Sequence, residues 1–414
     1  MITNAPAPTA LSTADRLAEA LADPHTVLPS DLPEDGRAWP QSLAGGASGI
    51  ALLHIERART GRGDWSTADA WLRAALAGEI SAAANANLFF GAPALAFVVH
   101  RAASASSRYA RLLERLDSAT ATVTERRLAA ARRRIDRGVY PPMEEFDLIQ
   151  GLAGIGAHHL SRHPEHEIAH DVLAYLVRLT EPLPGGAGLP PWWMEVGPTG
   201  APHPDYPGGH GNFGLAHGIG AVLAVLSQAA LRGSTTPGLA TAIERICAWM
   251  DHWRHGDEAS PWWPGQITRE QASEQHIHQD LRPRPSWCYG ASGTARAQQL
   301  AGLALGDQGR VRTAESAILS ALRDPLQQEQ LPDIGLCHGM AGLLHAAWRM
   351  GTDTGNPQIT AELRRLADRL ISALHQKDHP PEVLDGTAGA ALALHTFGIG
   401  RAPAPHWDTF LALA

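Results

Sequence analysis

The sequence predicts an all-α protein, a closed double ring of seven inner and seven outer helices. Two observations predict it. A Gly-x-x-Gly turn leading into a small or apolar helix recurs along the 414 residues, and longer amphipathic patterns lie between the turns. An apolar helix must be buried and an amphipathic one can cover it, so the alternating pairs pack as two layers. Seven such pairs close into a ring with the glycine turns at one end of the inner layer. An open solenoid of the same pairs is the alternative. Residues 1–414 are read as one domain of this kind, with repeats from about 40 to 400.

The elements follow in order. Ser12-Thr13-Ala14-Asp15 reads as a capping-box start for a helix to about Ala22. Gly46-Ala47-Ser48-Gly49 then leads into Ile50-Ala51-Leu52-Leu53. Ser66-Thr67-Ala68-Asp69 opens an amphipathic partner through Leu76. The second turn, Gly91-Ala92-Pro93-Ala94, lacks the second glycine, and an arginine-rich helix spans Arg108 to Arg137. Gly151-Leu152-Ala153-Gly154 precedes a helix over Ile168–Leu179. Gly218-Ile219-Gly220-Ala221, with its second glycine displaced by one, precedes one over Leu239–His252. Gly290-Ala291-Ser292-Gly293, Gly339-Met340-Ala341-Gly342 and Gly386-Thr387-Ala388-Gly389 complete the set, with amphipathic stretches at Arg312–Leu322 and Ile359–Leu374 between them.

Two connections are long and rich in Pro and Trp. Pro182 to Gly214 carries Trp192, Trp193 and Gly208-Gly209-His210-Gly211, and Ser260 to Ser286 carries Trp262-Trp263-Pro264. Loops of this length inside a compact fold are usually functional. Both run into turns with reactive side chains, so they either wall the mouth of the ring or anchor themselves to the core through their tryptophans.

Composition narrows the function. A net charge of -8 gives no bias toward nucleic acid or anionic membranes. No apolar run is long enough to span a bilayer, and the N-terminus lacks a signal peptide. Three cysteines fit a reducing compartment better than a disulfide framework, so the expected location is cytoplasmic.

Two of those cysteines sit at glycine turns. Leu336-Cys337-His338-Gly339 puts two metal-binding side chains at one corner, and Ser286-Trp287-Cys288-Tyr289-Gly290 repeats the arrangement one unit earlier. Cys288, Cys337 and His338 are therefore read as ligands of one zinc ion. Two cysteines and a histidine leave a fourth position open, as catalytic zinc sites do. The competing reading is that they are small buried hydrophobes, which is how Cys247 on its amphipathic helix is taken. Zinc with two thiolate ligands suits sulfur alkylation better than water activation.

His217, directly before Gly218, and Asp147, four residues before Gly151, face the same mouth in this arrangement. A carboxylate beside a histidine orients the ring and makes it a competent acid or base near neutrality. His158, His159, His163, His166 and His170 are assigned no role. His276 and His278 form a His-x-His pair with no further ligand nearby.

Trp287-Cys288-Tyr289-Gly290, Leu336-Cys337-His338-Gly339, Leu215-Ala216-His217-Gly218 and Asp147 through Gly154 together resemble the class I lanthipeptide cyclases, the LanC family. The resemblance runs from about Gly46 to Leu394. It implies an α,α-toroid, to which some members add a small β-containing extension; no strand run is evident here. It implies that Cys288, Cys337 and His338 hold zinc, that His217 moves the proton and that Asp147 is its acidic neighbour. It adds Arg284, Trp287 and Tyr289 to the active site. The implied reaction is addition of precursor-peptide cysteine thiols to dehydrated Ser and Thr residues, with a LanB-type dehydratase as partner. Ser292 stands where the family often has proline, and Ile219-Gly220-Ala221 where a proline-glycine is usual; neither is a proposed ligand. Two rival readings stand beside it: a non-catalytic LanC-like protein holding zinc and a thiol such as glutathione, and a prenyltransferase-like zinc toroid.

Overall fold

A computed structural model describes residues 7–28, 39–105, 107–183, 188–277 and 282–414. His278 lies outside them. The described residues are helical apart from one two-stranded sheet. None of their helices is long and apolar enough to cross a membrane. The contacts divide the chain into two compact units. One comprises 1–123 and 328–408, the other 124–327 and 409–414, and the chain passes between them inside the helix Ala110–Asp136.

Each of the seven turn glycines caps a helix. In the first unit these helices are Ala47–Arg59, Ala92–Ala103, Met340–Thr354 and Thr387–Ile399. In the second they are Leu152–Arg162, Ile219–Leu231 and Ala291–Leu305. They are buried on nearly every face, as small and apolar sequences require. The amphipathic partners bury one stripe. Pro357–Ala373, for example, buries Ile359, Leu363, Leu366, Ala367 and Leu370, the spacing of one helix face. Each partner follows its glycine-led helix in sequence, with one exception: Thr387–Ile399 packs against the first helix of the chain, Pro8–Ala20.

Helix starts differ from expectation at two places. Ser12 and Ser66 are interior residues, because the helices begin at Pro8 and Trp65. Pro8 takes the first helical position, where its fixed φ and missing N–H cost nothing. Ser12 Oγ instead donates to the Thr9 carbonyl.

The glycine turns are joined by their backbones. In the second unit Leu148 N donates to Ala216 O (3.1 Å), and Leu215 N and Ala216 N both donate to Cys288 O (2.9 and 3.2 Å). In the first, Leu336 N and Cys337 N donate to Leu384 O, Val383 N and Leu384 N to Ala44 O, and Leu43 N to Phe89 O. Every acceptor is the residue two before a capping glycine. At six of the seven capping glycines φ is negative and glycine is required by close approach; Gly91, at φ 75°, is the exception. A Cβ on Gly290 would lie 1.8 Å from Arg284 O, and one on Gly293 would lie 2.0 Å from Trp287 O.

The sheet was not foreseen. β1 (His210–Asn212) and β2 (Gln266–Thr268) pair antiparallel, His210 opposite Thr268, and so tie the two long connections together. Trp192, Trp193 and Trp263 are buried. Trp192 meets Trp249 edge-on and Phe213 stacks on Trp249 at 4.0 Å, so these loop aromatics are core.

Candidate metal and acid–base site

Most of the candidate site residues stand within two residues of a capping glycine. Two before stand Cys288 and Cys337; one before stand His217, Tyr289 and His338. The backbone bonds between turns therefore fix these residues directly, since Cys288 O and Cys337 N are themselves partners in them.

His217 and Asp147 are brought together. His217 Nδ1 lies 2.5 Å from Asp147 Oδ2. The carboxylate is wholly buried and His217 is a quarter exposed. The other carboxylate oxygen, Oδ1, accepts from Gln150 N (2.7 Å) and Gly151 N (2.6 Å), which locks the side chain into its own turn. A carboxylate only accepts, so Nδ1 of His217 carries the hydrogen and Nε2 is left to exchange a proton. Arg127, from the helix Ala110–Asp136, donates to Gln150 O (2.6 Å) and Glu144 O (3.2 Å) and so clamps the segment that holds Asp147. Sequence reasoning missed it, because nothing separates Arg127 from its arginine-rich neighbours. On the other side β1 runs straight into the His217 turn, where Asn212 Oδ1 accepts from Gly214 N at 2.9 Å.

Around Cys288, Trp287 is fully buried and its indole N–H donates to Leu411 O at 2.9 Å. Tyr289 is half-buried, its ring 6.2 Å from that of His217 and inclined to it by 29°. Ser286 Oγ is 3.4 Å from Cys288 Sγ. Arg284 is exposed, and its carbonyl accepts from Ser286 N at 2.7 Å.

Among the described residues, one group of Cys, His and acidic side chains could hold a metal ion. It is Cys288, Cys337 and His338, whose ligand atoms lie within 4.8 Å of one another. Two thiols and an imidazole are a donor set that zinc takes, with a fourth position left over. Cys247 stays outside it; burial pushes its thiol up to about 12, and it is a core residue as expected. A residue not foreseen is Asp385, which directly precedes Gly386 and whose Oδ1 lies 3.4 Å from His338 Nδ1. Its signal was its place, immediately before a capping glycine.

Comparisons with known proteins identify the family and the fold. Residues 37–410 match the family described as lanthionine synthetase C-like protein. The nisin biosynthesis protein NisC of Lactococcus lactis subsp. lactis is 27% identical over 209 residues, 50% of this chain and 49% of NisC. The match thus spans about half the length of that relative. A solved structure of nisin cyclase superposes with a TM-score of 0.77 at 19% identity, covering 97% of this chain and 96% of that one. That match shows the fold class expected from the seven turns, an all-α toroid.

Proposed function

The chain belongs to the lanthionine synthetase C-like family, and on that premise we propose that it is a zinc-dependent cyclase forming thioether rings in a dehydrated precursor peptide. The observation that carries the reading is the grouping of Cys288, Cys337 and His338, together with the His217–Asp147 pair. The three side chains are the proposed ligands of one zinc. Zinc held by two thiolates and an imidazole would keep a peptide thiol ionised near neutrality.

The chain's own residues do the rest. The substrate sulfur bonds to the β-carbon of a dehydroalanine or dehydrobutyrine, and the π electrons move to the carbonyl as an enolate. Arg284 is the cation proposed to stabilise it. Nε2 of His217 takes up the proton released when the thiol ionises and delivers it to the α-carbon. Asp147 holds the ring for both transfers. Tyr289 flanks His217, and Trp287 fixes the turn that presents Cys288. The product is lanthionine or methyllanthionine, at unchanged mass. A LanB-type dehydratase is the enzyme proposed to prepare the substrate, and the cytoplasm the compartment.

The test combines metal and product analysis. Purified protein should hold about one zinc, lost in Cys337→Ala. With a dehydrated peptide, free thiols should disappear while the mass stays constant. Zinc present with thiols persisting against every dehydrated peptide would instead identify a protein that only holds a thiol, and would end the cyclase reading.

A further inference from the structure

His217 and His338 occupy equivalent places, each immediately before a capping glycine, and each has Nδ1 nearest a carboxylate from an adjoining turn. For His217 it is Asp147 of the preceding turn, at 2.5 Å. For His338 it is Asp385 of the following turn, at 3.4 Å. We propose that Asp385 is a positioning residue that holds the His338 imidazole for the metal, with Nε2 as the ligand atom. The inference rests on the zinc reading above and extends it to a residue outside the ligand set.

Three observations carry it. The backbone fixes Asp385 beside His338, because Leu336 N (2.8 Å) and Cys337 N (2.9 Å) both donate to the carbonyl of Leu384, its neighbour in sequence. The approach is close enough to exclude a side chain on the facing strand of turn, since a Cβ on Gly335 would lie 2.6 Å from Asp385 Cα. The carboxylate is also shielded, with 18% of its side chain exposed, so water screens its charge only in part. A carboxylate at the non-ligating nitrogen of a metal-bound histidine fixes the tautomer, sets the ring plane and makes the other nitrogen a better donor. Asp385 contributes no ligand atom in this arrangement.

The test is zinc affinity, measured on metal-stripped full-length protein by competition with a chromophoric chelator. Asp385→Ala should bind zinc roughly 10- to 100-fold more weakly than wild type, with its far-UV circular dichroism and thermal midpoint retained in the metal-free state. Asp385→Asn keeps an acceptor oxygen without the charge and should lose less. Gly335→Ala, which pushes the Asp385 backbone away, should weaken zinc as well. Cobalt(II) supplies a second readout, because its visible ligand-field bands should shift in Asp385→Asn if the imidazole is reoriented. A folded Asp385→Ala with zinc affinity within about twofold of wild type overturns the proposal. If that variant does not fold, Asp385→Asn with unchanged affinity and unchanged cobalt bands overturns it. A wild-type protein that binds no zinc is a different result, and removes the zinc reading itself.

Discussion

Asp147 divides its two oxygens between holding itself and holding His217, and that division can be tested at the residue scale. Asp147→Asn fits the same space, but its amide can present N–H to His217 Nδ1, which would move the imidazole hydrogen to Nε2. Cyclisation should then slow by a factor on the order of 10² to 10⁴, with zinc content unchanged; a single-turnover rate equal to wild type would remove His217–Asp147 from the mechanism. The cysteines should also separate chemically. Burial holds the Cys247 thiol up at about 12, so a thiol-alkylating reagent at pH 8 should leave it intact in folded protein. Cys337, half-buried, should be labelled once zinc is removed. Labelling of Cys247 at a comparable rate would contradict the packing described for it.

At the scale of elements, Gly293 shows why the repeat was legible. Its α-carbon sits where a Cβ would meet Trp287 O at 2.0 Å, and a contact that tight leaves one residue type to choose from. Gly293→Ala should therefore cost about 1–3 kcal/mol as overpacking, lower the denaturation midpoint and weaken zinc, because the displaced carbonyl belongs to the residue before Cys288. A variant with an unchanged midpoint would show that the turn gives way freely. Glycines set by contact are conspicuous in a sequence, and so are long stripes such as Leu239–His252, whose expected and observed ends coincide. Three-residue strands are not conspicuous. His210-Gly211-Asn212 is too short to show alternation, and its pairing with Gln266–Thr268 is decided by folding of two connections far apart in sequence. Capping signals misled for a similar reason, since Ser-x-x-Asp at Ser12 and Ser66 is satisfied inside a helix as readily as at its start. In the site, the cysteines and His217 stood out by residue type beside glycine. Asp385 did not, because an aspartate before a glycine is ordinary turn chemistry until its neighbour across the turn is known.

Across the whole molecule, buried titratable groups set the response to pH. Burial pushes His54, His159 and His395 down to about 4, so each is neutral in the folded protein and must take up a proton only on unfolding or deep acidification. Depressed histidines contribute stability above their unfolded value near 6.5, and lose it as pH falls toward 4. Burial of Glu56 raises its carboxyl to about 7, which works in the opposite sense and favours the fold as pH falls from 7. Between pH 7 and pH 5 each group shifts the balance by about 2 kcal/mol, so three against one leaves a net loss on the order of 4 kcal/mol. Denaturant titrations at the two pH values should show it, and equal or greater stability at pH 5 would refute the burial assigned to these histidines. The backbone bonds linking turn to turn have a separate consequence. Leu384, Ala44, Phe89, Ala216 and Cys288 all accept through main-chain carbonyls, which any amino acid supplies. These bonds thus make no demand on the identity of the side chains at those places, which is left to packing. A reactive group of fitting size can therefore be gained or lost at such a turn by a single substitution while its backbone bonds persist.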